Sequence, residues 1–138
     1  MATLTPTQRA LLYRARGFFV GHTEAVGVLL PPDNGAPMFI KSGNEGGPWG
    51  GTQRGFVPRM PGWGFTRGGF SQGNIATHVE GHASAILWQR GFRMGLLVVD
   101  RPMCRICSQN LAYTLPPGSE LRVLSEEEGI TIVRASHG

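Results

Sequence analysis

The sequence predicts an α/β fold: a three-layer α/β/α sandwich around a mixed five-stranded sheet, with the last two strands antiparallel and two helices side by side on one face. Three observations predict it. Residues 74–110 read as helix, strand, helix, and residues 18–40 read as a hairpin. The final two apolar runs are joined by a connection too short for a parallel crossover, which needs about a dozen residues.

Taken in order, Thr5 or Thr7 caps a short helix through Gln8, Leu11, Leu12 and Tyr13. Residues 18–30 read as extended chain, with Val26, Val28 and Leu30 alternating, and Pro-Pro-Asp-Asn-Gly-Ala-Pro is a dense turn signal before Met38, Phe39 and Ile40. Residues 42–73 show neither a helical nor a strand period. Between Gly73 and Gly91 the apolar residues Ile75, Val79, Ala83, Ile86 and Leu87 recur at three- and four-residue steps, the period of an amphipathic helix, with Thr77 as its expected cap. The run from Met94 to Val99 is continuous and branched, as in a strand buried on both faces, and Asp100, Arg101 and Pro102 end it. Cys104 and Cys107 then open a second amphipathic run containing Ile106, Leu111 and Leu115, which Leu-Pro-Pro-Gly stops. Residues 121–124 and 130–133 are the closing strands, joined by a glutamate-rich turn.

A chain of 138 residues is one domain, 1–138, long enough to bury a core without staples. Two cysteines in a Cys-x-x-Cys spacing are no disulfide framework and suit a reducing place of action. No apolar stretch is long enough to span a membrane, and no signal-type segment is read at the start, so export is expected to depend on something outside these residues. The net charge of +4 lies entirely in the front of the chain, up to residue 74, which is weak support for a polyanionic substrate. A monomer is expected.

The chemistry concentrates where the helix, strand and helix meet. Cys104 and Cys107 stand three residues apart on one helical face at a helix N-terminus, where unpaired N–H groups and the helix dipole favour thiolate, the metal-binding form. His78 as a third ligand would leave the fourth position to water, the arrangement of a catalytic zinc. Glu80 is the available carboxylate, and it can share a site with His78 only in the first helical turn. Competing readings use the same residues. Thr77-x-x-Glu80 also fits a capping box. His78 and His82 with both cysteines would make a closed, structural Cys2His2 zinc. Cys-x-x-Cys after a strand also fits a redox pair, although that reading uses neither His78 nor Glu80. Outside a closed site, His82 reads as a surface residue or a support for the ligands.

The pattern His-x-Glu, helix, strand, Pro-x-Cys-x-x-Cys resembles the zinc-dependent nucleoside and nucleobase deaminases. More narrowly, THVEGHASAILWQRG, the strand, MCRICSQNLAYTLPPGSELRVL and EEGITIV resemble the bacterial polymorphic-toxin DNA cytosine deaminases, the DddA-like group, as does KSGNEGGP near the front. Met103, between Pro102 and Cys104, departs from the general pattern. The resemblance implies the cytidine deaminase sandwich. It also implies Zn2+ held by His78, Cys104 and Cys107, with Glu80 as the proton shuttle in the deamination of cytosine to uracil. It implies further a toxin domain secreted or delivered as part of a larger protein, acting in the target-cell cytoplasm and neutralised in its producer by a cognate immunity protein.

Residues 42–73 lead directly into the His78 helix and carry Trp49, Phe56, Trp63, Phe65 and Phe70 among Arg54, Arg59 and Arg67. Aromatics interleaved with arginine stack on bases and pair with phosphates, so these residues are the candidate nucleic-acid contacts and single-stranded DNA is the favoured substrate. The same aromatics could fold back as a lid, or wedge a duplex open, and duplex DNA and RNA remain alternatives. A non-catalytic zinc module binding nucleic acid through this segment is the competing class, and a free-nucleoside deaminase a further one.

Overall fold

The computed structural model describes residues 3–43 and 78–136. Helix α1 (Pro6–Phe19) precedes strands β1 (Val26–Leu30) and β2 (Met38–Lys41). Helix α2 (Val79–Arg90), strand β3 (Met94–Val99), helix α3 (Arg105–Thr114) and strands β4 (Glu120–Ser125) and β5 (Gly129–Arg134) follow. The strands form one sheet in the order β2-β1-β3-β4-β5. β1 is antiparallel to both neighbours, β3 and β4 are parallel, and β4 and β5 are antiparallel, as their short connection requires.

Thr5 starts α1 with a capping box: its hydroxyl accepts from Gln8 N–H, and the Gln8 side chain accepts from Thr5 N–H at 3.0 Å. The helix runs 14 residues, through Phe18 and Phe19, which the sequence pattern assigns to extended chain. Tertiary packing corrects that reading. Leu12, Ala15 and Phe19 follow a helical step and press on Val28, Val98 and Leu124. The residues of β1 also differ from a one-sided strand, because the consecutive residues Val28 and Leu29 face opposite layers and both are buried.

On the other face, Val79, Ala83, Ile86 and Leu87 of α2 and Leu111 of α3 pack with Leu115 on Leu29, Ile40, Leu97, Val99, Leu121 and Val123. Helices therefore cover both faces of the mixed sheet, in the expected layers. Gly27 lets α2 approach: a Cβ there would lie 2.7 Å from Val79 Cγ1. A small polar cluster locks α2 to α3, where the carbonyl of Thr114 accepts from Trp88 Nε1–H at 2.6 Å and from the Ser84 hydroxyl at 3.0 Å.

Length matching brings the sequence-distant site residues together. The 12 residues of α2 rise about 18 Å and the 6 of β3 about 20 Å. Gly91, at φ 67°, reverses the chain between them, with its N–H on the Leu87 carbonyl. The start of α2 thus returns beside the end of β3, from which the chain passes directly into α3.

Candidate metal centre and cavity

The cap of α2 is His78, in extended conformation at φ −80° and ψ 159° with no capping bond from its side chain, and its carbonyl accepts the first helical bond from His82 N–H. This corrects the expectation that Thr77 caps the helix, while Thr77 itself, and with it the competing capping-box reading of Glu80, lies outside the described residues. His78 is free to aim its ring across to α3, and Glu80 lies in the first turn, where the two can share a site.

The cap of α3 is Cys104, whose sulfur accepts from Cys107 N–H at 3.4 Å. The two helix starts face each other: His78 Nδ1 lies 3.3 Å from Cys107 Sγ and 3.4 Å from Cys104 Sγ. These three ligand atoms all fall within 4.8 Å of one another, close enough to hold one metal ion. Glu80 Oε1 lies 4.0 Å from Cys107 Sγ, on the buried side of the cluster.

Burial sets the charge states here. It holds His78 below the ordinary imidazole range, which keeps the ring in its neutral, ligating form. Burial also pushes the Glu80 carboxyl up, its own backbone N–H opposing and the Asp100 charge adding. The Cys107 thiol is pushed far up, by burial first and then by the Glu80 charge. For Cys107, desolvation thus outweighs the helix-start preference for thiolate read from the sequence. A cation in the cluster would reverse that balance, since a coordinated thiol is deprotonated outright.

His82 is not a member of the cluster, which overturns the closed Cys2His2 reading. Its Nε2 is engaged by the carbonyl of Gly43, at 2.8 Å, and as the partner is a carbonyl, Nε2 carries the hydrogen and donates. Nor is it a surface residue: the side chain is fully buried, and burial holds the ring neutral.

A cavity of about 290 Å³ opens onto this centre, lined by His78, Val79, Glu80 and Cys104 and by Ala25, Val26, Ser42, Val99, Asp100, Arg101 and Pro102. That volume is at the lower end of small-molecule pockets. The sequence reading treats Asp100 and Arg101 only as a strand stop. A signal existed, because ligands in open α/β sheets bind beyond the carboxyl ends of parallel strands, and Asp100 directly follows β3. The sequence-predicted contacts Trp49, Arg54, Phe56, Arg59, Trp63, Phe65, Arg67 and Phe70 lie outside the described residues. Ser42 and His78, near either end of that segment, both line the cavity.

No helix among the described residues is long and apolar enough to cross a membrane. No curated protein matches this chain. The family model described as SCP1.201-like deaminase matches residues 20–138, a span that takes in β1, the cavity and the His78, Cys104 and Cys107 cluster, and the chain therefore belongs to the SCP1.201-like deaminases.

Proposed function

We propose that this deaminase removes the exocyclic amine of cytosine in DNA, single-stranded DNA being favoured, and that zinc is its metal. The observation that carries the chemistry is the His78, Cys104 and Cys107 cluster with Glu80 beside it at the head of the cavity. The donor set suits zinc. Tetrahedral Zn–S bonds of about 2.3 Å and Zn–N bonds of about 2.05 Å separate sulfur from nitrogen by about 3.6 Å. The observed separations of 3.3 and 3.4 Å are close to that. Zinc with three protein ligands supplies a water nucleophile at neutral pH.

The chain's own residues do the rest. Neutral His78 and the two sulfurs would hold the metal between the two helix starts. Glu80, buried beside the cluster, takes the proton released from the attacking water and delivers it to N3 of the base. It then takes the remaining proton of that water, from the oxygen now bonded to C4, and passes it to N4, so that the C4–N4 bond breaks, ammonia leaves and uracil remains. The raised carboxyl suits this role, because a shuttle works best when its proton affinity is near the operating pH. Val79 and Val99 give the cavity an apolar lining against the base.

DNA as substrate rests on the arginines and aromatics of residues 42–73, which suit an unpaired strand whose bases are already exposed. The biological setting belongs to the same proposal: a single toxin domain, delivered within a larger secreted protein into a rival cell's cytoplasm and neutralised at home by an immunity protein. The test of substrate is uracil formation by wild type in a labelled cytosine oligonucleotide, single-stranded and duplex, with RNA and free cytidine as competitors. Preferential conversion of the single strand supports the proposal. Preference for the duplex, or effective competition by RNA or cytidine, replaces the substrate with that one.

A further inference from the structure

The cavity wall formed by Ala25 and Val26 is held in place from outside its own strand. Val26 N–H donates to Asp100 Oδ1 at 3.1 Å, and Asp100 N–H donates to the Val26 carbonyl at 3.1 Å. On the other side, Ser42 N–H donates to the Ala25 carbonyl at 2.9 Å. Arg101 closes the arrangement. Its Nε–H donates to Asp100 Oδ1 at 3.2 Å and Nη2 donates to Asp100 Oδ2 at 3.0 Å, a forked grip on both carboxylate oxygens. The same Nη2 reaches the carbonyls of Thr23 at 3.2 Å and Glu24 at 3.1 Å, the residues leading into the wall. One planar guanidinium therefore ties the exit of β3 to the entrance of β1. Ala25, Val26, Ser42, Asp100 and Arg101 all line the cavity that holds Glu80.

We propose that Arg101, acting through Asp100, is a positioning residue that fixes the Ala25–Val26 wall of the substrate cavity and so sets how tightly the base is held. The inference rests on the proposed deamination for its kinetic consequence and on geometry alone for the strap itself. A wall acts first on substrate binding, and the Asp100 charge, which also raises the Glu80 carboxyl, stays in place when only Arg101 is changed. The strap also depends on a fork of donors rather than on charge, since a lysine ammonium is a point charge that cannot span two carboxylate oxygens and two carbonyls. A phosphate contact by the exposed part of Arg101 makes the opposite prediction, because lysine serves phosphate well.

The experiment compares wild type with Arg101→Gln and Arg101→Lys, each carrying its metal, in steady-state deamination of a cytosine oligonucleotide, with hydrogen exchange of the Val26 amide measured on the same proteins. The expected result is that both variants keep their metal and raise KM about tenfold, as expected for lost hydrogen bonds to a charged group. Their kcat should stay within about twofold of wild type. The Val26 amide should exchange faster in both. Restoration of KM by lysine alone would overturn the strap in favour of a phosphate contact, and a fall in kcat at constant KM would overturn the assignment to binding. If wild type deaminates no cytosine substrate, the proposed function fails, and Val26 exchange still decides the strap: unchanged protection in both variants refutes it.

Discussion

Glu80 Oε1 lies 4.0 Å from Cys107 Sγ, so a buried carboxyl from α2 and a buried thiol from α3 meet at the metal cluster. The Glu80 charge disfavours the Cys107 thiolate, and burial disfavours the charged form of both groups. The pair is therefore arranged for a cation rather than for the stability of the chain by itself.

This relationship predicts a pH dependence in the metal-free protein. The folded Glu80 carboxyl sits above its ordinary value of 4.5. Its raised proton affinity therefore stabilises the fold fully below that ordinary value, and the contribution is lost as pH rises through the folded value. Glu80→Gln keeps a neutral side chain at every pH. After chelation, the variant should match wild type in acid and exceed it at neutral pH by about 1–3 kcal/mol. Urea unfolding at a series of pH values checks the direction, and a variant less stable than wild type at neutral pH would refute it.

Metal content separates the open centre from a closed one. His78→Ala, Cys104→Ala and Cys107→Ala should each purify with far less than one zinc per chain. His82→Ala should keep its zinc while losing about 1–3 kcal/mol from the missing Gly43 bond and the emptied core volume. Elemental analysis and thermal melts on the four variants measure both effects. Loss of zinc from folded His82→Ala would restore histidine as a fourth ligand.

Gly27→Ala tests how closely α2 must sit. The new methyl would lie 2.7 Å from Val79 Cγ1 and 3.1 Å from the Val98 carbonyl oxygen, and the β-branched Val79 has little rotamer freedom to yield. Destabilisation by about 1–3 kcal/mol is expected, together with weaker metal binding, because Val79 adjoins His78. Denaturant midpoints and a zinc competition titration report the two separately.

Trp88→Phe removes one of the two side-chain donors on the Thr114 carbonyl and leaves Ser84 in place. A loss of about 0.5–1.5 kcal/mol in chemical denaturation is expected, with zinc content unchanged, since the contact lies far along α2 from His78.

Much of the centre was legible because its determinants are local. The apolar steps through Val79, Ala83, Ile86 and Leu87 declare a helix, and the spacing of Cys104 and Cys107 puts both thiols in one first turn. The short connection after Ser125 dictates the antiparallel pairing of β4 and β5. What escaped depends on partners remote in sequence. Phe18 and Phe19 have strand-type propensity, and α1 continues through them because Phe19 finds the sheet's second face. His82 mimics a ligand by standing one turn from His78, and only the folded chain brings it the Gly43 carbonyl, 39 residues earlier. Arg101 likewise meets Thr23 and Glu24, 78 and 77 residues earlier, because β1 and β3 are neighbours in the sheet. The cap of α2 was misread by one residue because Thr is a far better intrinsic cap than His, and the demand to aim His78 at two sulfurs prevails.

The most direct test of the central claim is uracil formation in a single-stranded cytosine oligonucleotide by zinc-loaded wild type and zinc-loaded Glu80→Ala. The account predicts conversion by wild type and a loss of several orders of magnitude in the variant, with zinc retained and the fold intact. Comparable turnover by Glu80→Ala would contradict the assignment of Glu80 as the proton shuttle, and no uracil from folded, zinc-loaded wild type would contradict cytosine in single-stranded DNA as the substrate.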